Sequence, residues 1–506
     1  MDNQTNLCIM VALCLIIATI IFHKWRMTCK KRAQHRLPPG PKGWPIIGCV
    51  PEMMKNKPTS KWIHKLMQEL NTEIACIRLG NINVIPVTSP ELAREILKKQ
   101  DAVFASRPRC MSGKLTSNEY LTTKMKRIIT SEVISSTIHQ WLHMEICHEE
   151  ADHLVKYVYH QYQSPLTNGL VNVRVVARHY CGSVIRRIVF GKRFFGIGME
   201  DGGPGMEEEE HMDGLFTTMF HLYAFALADY VPWLEVFDLD GYKKILKDSI
   251  KNMRKYHDPE INKRVKMTQK NNPLLSVQEI KAQITEIIMA TVDNPSNAVE
   301  WAIAEMINQP DILDKAYKEL DKVVRRDRLV DESDLPKLNY VKACIKETFR
   351  LHPIAPFNVP HLSTKDTIVG GYFIPKGSHV LVSRLGLGRN PRIWEDPLKY
   401  NPERHIIDES TQVMLTDHEL NMLSFSTGRR GCPGVVLGST MVTILLARLI
   451  QGFSWSAPTN RPSIDLVESE QDLLLAKPLI AHASPRLEAQ VYAQLLQTHY
   501  MKETTI

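Results

Sequence analysis

The chain of 506 residues has no C-x-x-C pair. Its ten cysteines, at positions 8, 14, 29, 49, 76, 110, 147, 181, 344 and 432, are scattered. That scatter indicates neither a disulfide framework nor a zinc site, and it fits a reducing, cytosol-facing environment. No G-x-G-x-x-G and no flavin motif occurs, so no dinucleotide or flavin site is legible. Internal repeats are missing, which argues against a solenoid or propeller. Positive charge is modest, +8, and part of it lies in the first 40 residues. No aromatic-interleaved basic stripe accompanies it elsewhere, so a nucleic-acid partner is not favoured. An anionic membrane face or an acidic partner accounts for that charge as well. What remains is an ordinary globular composition, 44% apolar and 23% charged, with enough apolar mass for a large core.

Leu7 to Phe22 is an unbroken apolar or small run. As a helix it covers about 24 Å, slightly short of a bilayer core. Trp25 supplies an interfacial anchor, and His23, Lys24, Arg26, Lys30, Lys31, Arg32 and Arg36 follow the apolar run. The positive-inside rule then puts the bulk of the chain in the cytosol, with a single span. A cleaved signal peptide fits less well, because the charges lie on the wrong side of the run. Four prolines between Leu37 and Gly48 forbid helix and read as a rigid hinge. The organisation expected is an anchor and basic flank (1–36), a hinge (37–48), one large domain (49–490) and a tail (491–506).

Within that domain, helical periodicity marks 91–99, 130–160, 171–189, 240–270, 278–306, 311–325 and 340–350. Ile74 to Leu79 and Ile82 to Thr88 read as strands, and Gly370 to Ser383 as a hairpin with turns at Gly370-Gly371 and Lys376-Gly377. The acidic run at 201–210 reads as a solvated loop. The fold class expected is mainly α with small β-sheets.

The densest chemical signal is Phe425-Ser426-Thr427-Gly428-Arg429-Arg430-Gly431-Cys432-Pro433-Gly434, with an apolar helical run directly after it. Cys432 stands just ahead of a helix start, where backbone N–H groups and the dipole favour a thiolate. Arg430 offers a fixed cation two residues earlier. Three glycines allow positive φ and close backbone approach. A lone cysteine in such a turn is usually only packing. The pattern Phe-x-x-Gly-x-Arg-x-Cys-x-Gly, however, resembles the haem-binding loop of the cytochrome P450 family, with Phe425, Gly428, Arg430, Cys432 and Gly434 in place.

The resemblance covers roughly residues 37 to 490 and implies the family fold, haem b with Cys432 as axial thiolate, and a membrane-bound position at the endoplasmic reticulum. Electrons would come from a separate NADPH-cytochrome P450 reductase. Glu347 and Arg350, three apart on one helix face, together with Arg404, match the family's structural Glu-x-x-Arg plus Arg triad. The stretch from Ala290 to Trp301 matches the helix that crosses the distal face of the haem, and it holds a helix-breaking Pro295. Asp293 keeps the acid that serves proton delivery there, while Asn294 stands where Thr is usual. That string, the Arg404-His405 pair and the Val359-Pro360-His361 segment resemble the plant amino-acid N-hydroxylases. Those enzymes take an α-amino acid through two N-hydroxylations, dehydration and decarboxylation to an aldoxime in specialised metabolism. The substrates implied are an amino acid and dioxygen. By family position, Asn294, Phe357, Asn358, Val359, Lys477 and Pro478 line the pocket, and His361 and Arg430 pair with haem propionates.

The resemblance breaks in two places. Where the family has Trp-x-x-x-Arg against the propionates, this chain has Thr122 and Lys126. The stretches from Arg107 to Lys124 and from Lys266 to Leu275 are short for the branch. Lys126 keeps the charge without the planar fork of Arg, so weaker haem retention is expected. Two other readings stay open: a haem-thiolate isomerase or dehydratase that needs no reductase, and a haem protein impaired by the shortenings.

Overall fold

The computed structural model describes residues 36–117, 137–222, 224–268, 275–408, 411–459, 461–470 and 472–503. The apolar run at 7–22 and Lys126 lie outside them. The core is helical: α1 (Thr137–Gln163), α2 (Val173–Phe190), α3 (Met206–His221), α4 (Tyr242–Thr268), α5 (Val277–Asn308), α6 (Asn339–Leu351), α7 (Val435–Gly452) and α8 (Ala489–Glu503). Helix α5 runs through its centre and packs on α2, α6 and α7. Its start was written locally: Ser276 Oγ accepts from Glu279 N, and Glu279 accepts from Ser276 N at 2.8 Å, a capping box. Helix α5 continues through Pro295. Around it, the side chains of Thr291, Asn294 and Ser296 donate to carbonyls four residues back, which binds the backbone near the missing N–H.

Three small sheets edge this core. The largest has the order β1 (Ile77–Leu79), β2 (Ile82–Val87), β7 (His379–Val382), β4 (His361–Leu362). The second joins β3 (Leu170–Asn172), β9 (Ile480–Pro485) and β8 (Phe453–Ser456), and the third joins β5 (Thr367–Val369) to β6 (Tyr372–Ile374).

Three expectations need correction. The hairpin over 370–383 is only half of one. Gly370-Gly371 does turn β5 into β6, but β7 leaves after Gly377 and pairs in parallel with β2, Val84 against His379. All four β7 residues are buried, so that strand belongs to the inner sheet. The acidic run is not wholly solvated. Glu208 lies in the first turns of α3, 1% exposed, and accepts from Arg186 and His179 at 2.7 Å each. The expected tail opens inside the core: Val491 and Tyr492 of α8 are buried, and Tyr492 stacks on Tyr159 at 4.4 Å. The proline stretch also lies against the domain, with Cys76 N donating to Pro39 O and Phe373 N to Arg36 O.

Among the described residues one helix, α7, is long and apolar enough to cross a membrane. It is mostly buried, and its packing on α1 and α5 makes it a core helix.

Candidate active site

The Cys432 loop is closed by its own backbone. Cys432 N donates to Phe425 O at 2.8 Å, across a single 3₁₀ turn at Gly428–Arg430. Of its three glycines only Gly428 takes positive φ, +69°, and a Cβ there would sit 2.3 Å from Leu97 O. Gly434 instead provides the N-cap of α7 with φ −89°. Phe425 packs edge-on to Phe349 and lies under Gly438, where a Cβ would touch it at 3.4 Å. Among the described cysteines Cys432 alone is exposed. Cys147, Cys181 and Cys344 are buried, and burial pushes their thiols up.

Behind the loop, Glu347 is fully enclosed and saturated. It accepts from Arg350 Nε and Nη2 at 2.8 and 2.7 Å, Arg404 Nε at 3.0 Å, His405 Nε2 at 2.8 Å and Asn401 N at 2.9 Å. Burial alone would raise its acid, but Arg350 and His405 hold it down to about 2. Arg350 spends its remaining N–H groups on the carbonyls of Gly388, Pro397 and Lys399. The arrangement is a locked joint between α6 and the loop at 396–405.

Helix α5 carries Asp293, whose Oδ1 accepts from Asn297 Nδ2 at 2.5 Å. Burial raises this carboxyl to about 6, against the opposing pull of Arg178, Asn297 and Arg384. Asn294 donates to Ala290 O at 2.9 Å, while its Oδ1 and that of Asn297 are buried without partners.

Asn358 Nδ2 donates to Ser426 Oγ at 3.1 Å and so ties the 357–359 segment to the Cys432 loop. Phe357 is buried and stacks on His64 at 4.9 Å. Val359 O accepts from Arg107 Nη1 at 2.7 Å. His361 and Arg430 line one hollow together with Asp101, Phe104 and Thr427. His361 is held as a neutral imidazole in this hollow. Phe104 O only accepts, so at 2.8 Å His361 Nδ1 must carry the proton, and Nε2 is left facing Asn358 Nδ2. Burial, with Arg107 and Arg430 beside it, lowers this histidine to about 3. The cations that line this hollow are therefore Arg429 and Arg430, and Arg107 stands beside His361. Lys477 stands apart, its side chain 74% exposed and 3.9 Å from Asp465, and Pro478 is exposed beside it.

A family model described as "Cytochrome P450" matches residues 38–482. The chain belongs to the cytochrome P450 family. A phenylalanine N-monooxygenase of Prunus mume is 51% identical to this P450, covering 96% of this chain and 98% of its own length. The phenylalanine N-monooxygenase of Arabidopsis thaliana is 53% identical over 90% and 92%. Isoleucine N-monooxygenase 1 of Lotus japonicus is 51% identical over 91% and 92%.

P450 enzymes are monooxygenases that bind haem through a cysteine thiolate, and the residues here fit that group. One accessible soft sulfur projects from a rigid, backbone-closed loop, and two arginines stand near for its anionic edge. Sequence reasoning missed Arg384, Arg178 and Arg107. Their neighbourhoods carry no motif, and only tertiary burial makes them notable. The Arg404-His405 pair carried part of the resemblance, but the bond from His405 to Glu347 has no sequence signal.

Proposed function

We propose that this P450 hydroxylates the amine of an α-amino acid twice and releases the aldoxime, carbon dioxide and water. The reading is carried by near-50% identity along almost the whole chain to relatives named for different amino acids. Haem bound at Cys432 supplies activation of dioxygen. The chain supplies position and protons. Asp293, raised to about 6, exchanges protons near neutral pH, and Asn297 orients it. Asn294 Oδ1 offers an acceptor to the substrate amine, and Phe357 gives the pocket an apolar wall. Electrons come from an NADPH-cytochrome P450 reductase at the endoplasmic reticulum membrane, where residues 7–22 anchor the protein with its catalytic domain in the cytosol.

A panel of aliphatic, aromatic and sulfur-containing amino acids, supplied to reductase-coupled membranes with NADPH, tests this reading. An oxime from one class, with matching oxygen uptake, is expected. Haem-loaded protein that makes no oxime from any member would refute it.

A further inference from the structure

Arg384 opens a short helical turn capped by Ser383, whose Oγ accepts from Gly386 N at 2.7 Å. Its own N donates to Pro356 O at 2.9 Å, which fixes the backbone against the 356–358 segment. The guanidinium is enclosed by the fold, and the residue as a whole is half-buried. Its one side-chain hydrogen bond is long, Nη2 to Asn358 Oδ1 at 3.4 Å. Nε is buried and has no partner.

Other buried arginines are treated differently. Arg350 is paired with Glu347, Arg186 with Glu208 and Arg448 with Asp152, each at 2.7 Å. Arg178 lies over the Phe216 ring, 3.4 Å from its centre. Among the described residues no carboxylate is within ion-pair distance of Arg384. Arginine keeps its charge when buried, and a buried charge without a counter-charge is costly. Burial lowers Arg384 to about 10, with Cys432 and Asp293 opposing that shift. The cation therefore stands within electrostatic reach of both the sulfur loop and the α5 acid.

We propose that Arg384 anchors a ligand carboxylate, which its planar fork grips through Nε and a terminal nitrogen beside Asn358. Two carboxylates qualify: the α-carboxylate of an amino-acid substrate and a propionate of haem. The first rests on the amino-acid reading above. Arg107 and Arg430, grouped with His361, are a second cation site, so the two anions have separate places to go.

The test uses haem-loaded, full-length Arg384→Gln and Arg384→Lys proteins. One arm titrates the turned-over amino acid and, separately, the amine that lacks its carboxyl group, reading the change in haem absorption. The other arm measures the rate of haem transfer to an apo-haem acceptor protein. If Arg384 holds the substrate, Arg384→Gln weakens amino-acid binding ~10–100-fold, leaves the amine unchanged, and Arg384→Lys recovers part of the loss. If it holds a propionate, haem transfer quickens ~10-fold and the ratio of amino-acid to amine affinity stays fixed. Equal weakening of amino acid and amine with haem transfer unchanged, or no change in either arm, overturns the proposal. Should the Gln variant not fold, the charge-keeping Lys variant is read in the same two arms. If the unmutated protein responds to no amino acid, the amino-acid reading fails by itself, and the haem-transfer arm still decides Arg384.

Discussion

Glu347 and Asp293 are both buried carboxylates, and their surroundings push them in opposite directions. Glu347 receives five hydrogen bonds, four of them from cationic or imidazole side chains, and falls to about 2 from an ordinary 4.5. Asp293 receives one from Asn297 and rises to about 6 from 3.8. Each shift corresponds to an energy on the order of 3 kcal/mol, with opposite sign for stability at neutral pH. Glu347 adds stability above about pH 4.5 that is lost as pH falls toward 2. Asp293 favours the fold when protonated, a contribution lost as pH rises through about 6, so its charge costs stability at pH 7. The first carboxylate is spent on architecture. The second is left with a charge that burial disfavours, which on the proposed function is the group that moves protons. The arginines repeat the contrast. Arg350 uses all five of its N–H donors, whereas Arg384 uses one.

Glu347→Ala makes the largest break. It strands Arg350 in the core and lowers stability by about 3–5 kcal/mol, read by denaturant unfolding together with haem content. A loss below 1 kcal/mol would show that the joint is not what holds the loop. Asp293→Asn sharpens the other side. Turnover falls ~10²–10⁴-fold, while unfolding at pH 7 shows no loss of stability. The fall in rate as pH rises through about 6 also vanishes from the profile. A variant that loses stability and keeps its pH limb would reverse the assignment. The acid limb of stability gives a milder contrast. Unfolding free energy drops between about pH 4.5 and 2, and Glu347→Gln flattens that drop; an unchanged slope would place the titration elsewhere. Lys477→Ala is the smallest effect, within ~0.5 kcal/mol in stability and less than about twofold in KM, since its ion pair is exposed. A tenfold rise in KM would restore it to the pocket.

The parts of this site that were readable in the chain are those fixed by local spacing. The Cys432 loop and the i,i+3 pair Glu347 and Arg350 both signal through residues a few positions apart. Strand β7 was mispaired because its partner, β2, lies almost 300 residues away in sequence. Glu208 looked solvated because its neighbours are acidic, and only its meeting with Arg186 and His179 shows otherwise. Arg384 is unremarkable in its own segment. Its meaning comes from having no carboxylate at ion-pair distance among the described residues, which no linear pattern records.

The central claim is that the sulfur of Cys432 ligates haem iron. The direct measurement is the carbon-monoxide difference spectrum of the reduced full-length protein beside Cys432→Ala. The account predicts a thiolate-type band for the unmutated chain and its complete loss in the variant. A thiolate-type band that survives Cys432→Ala would contradict it.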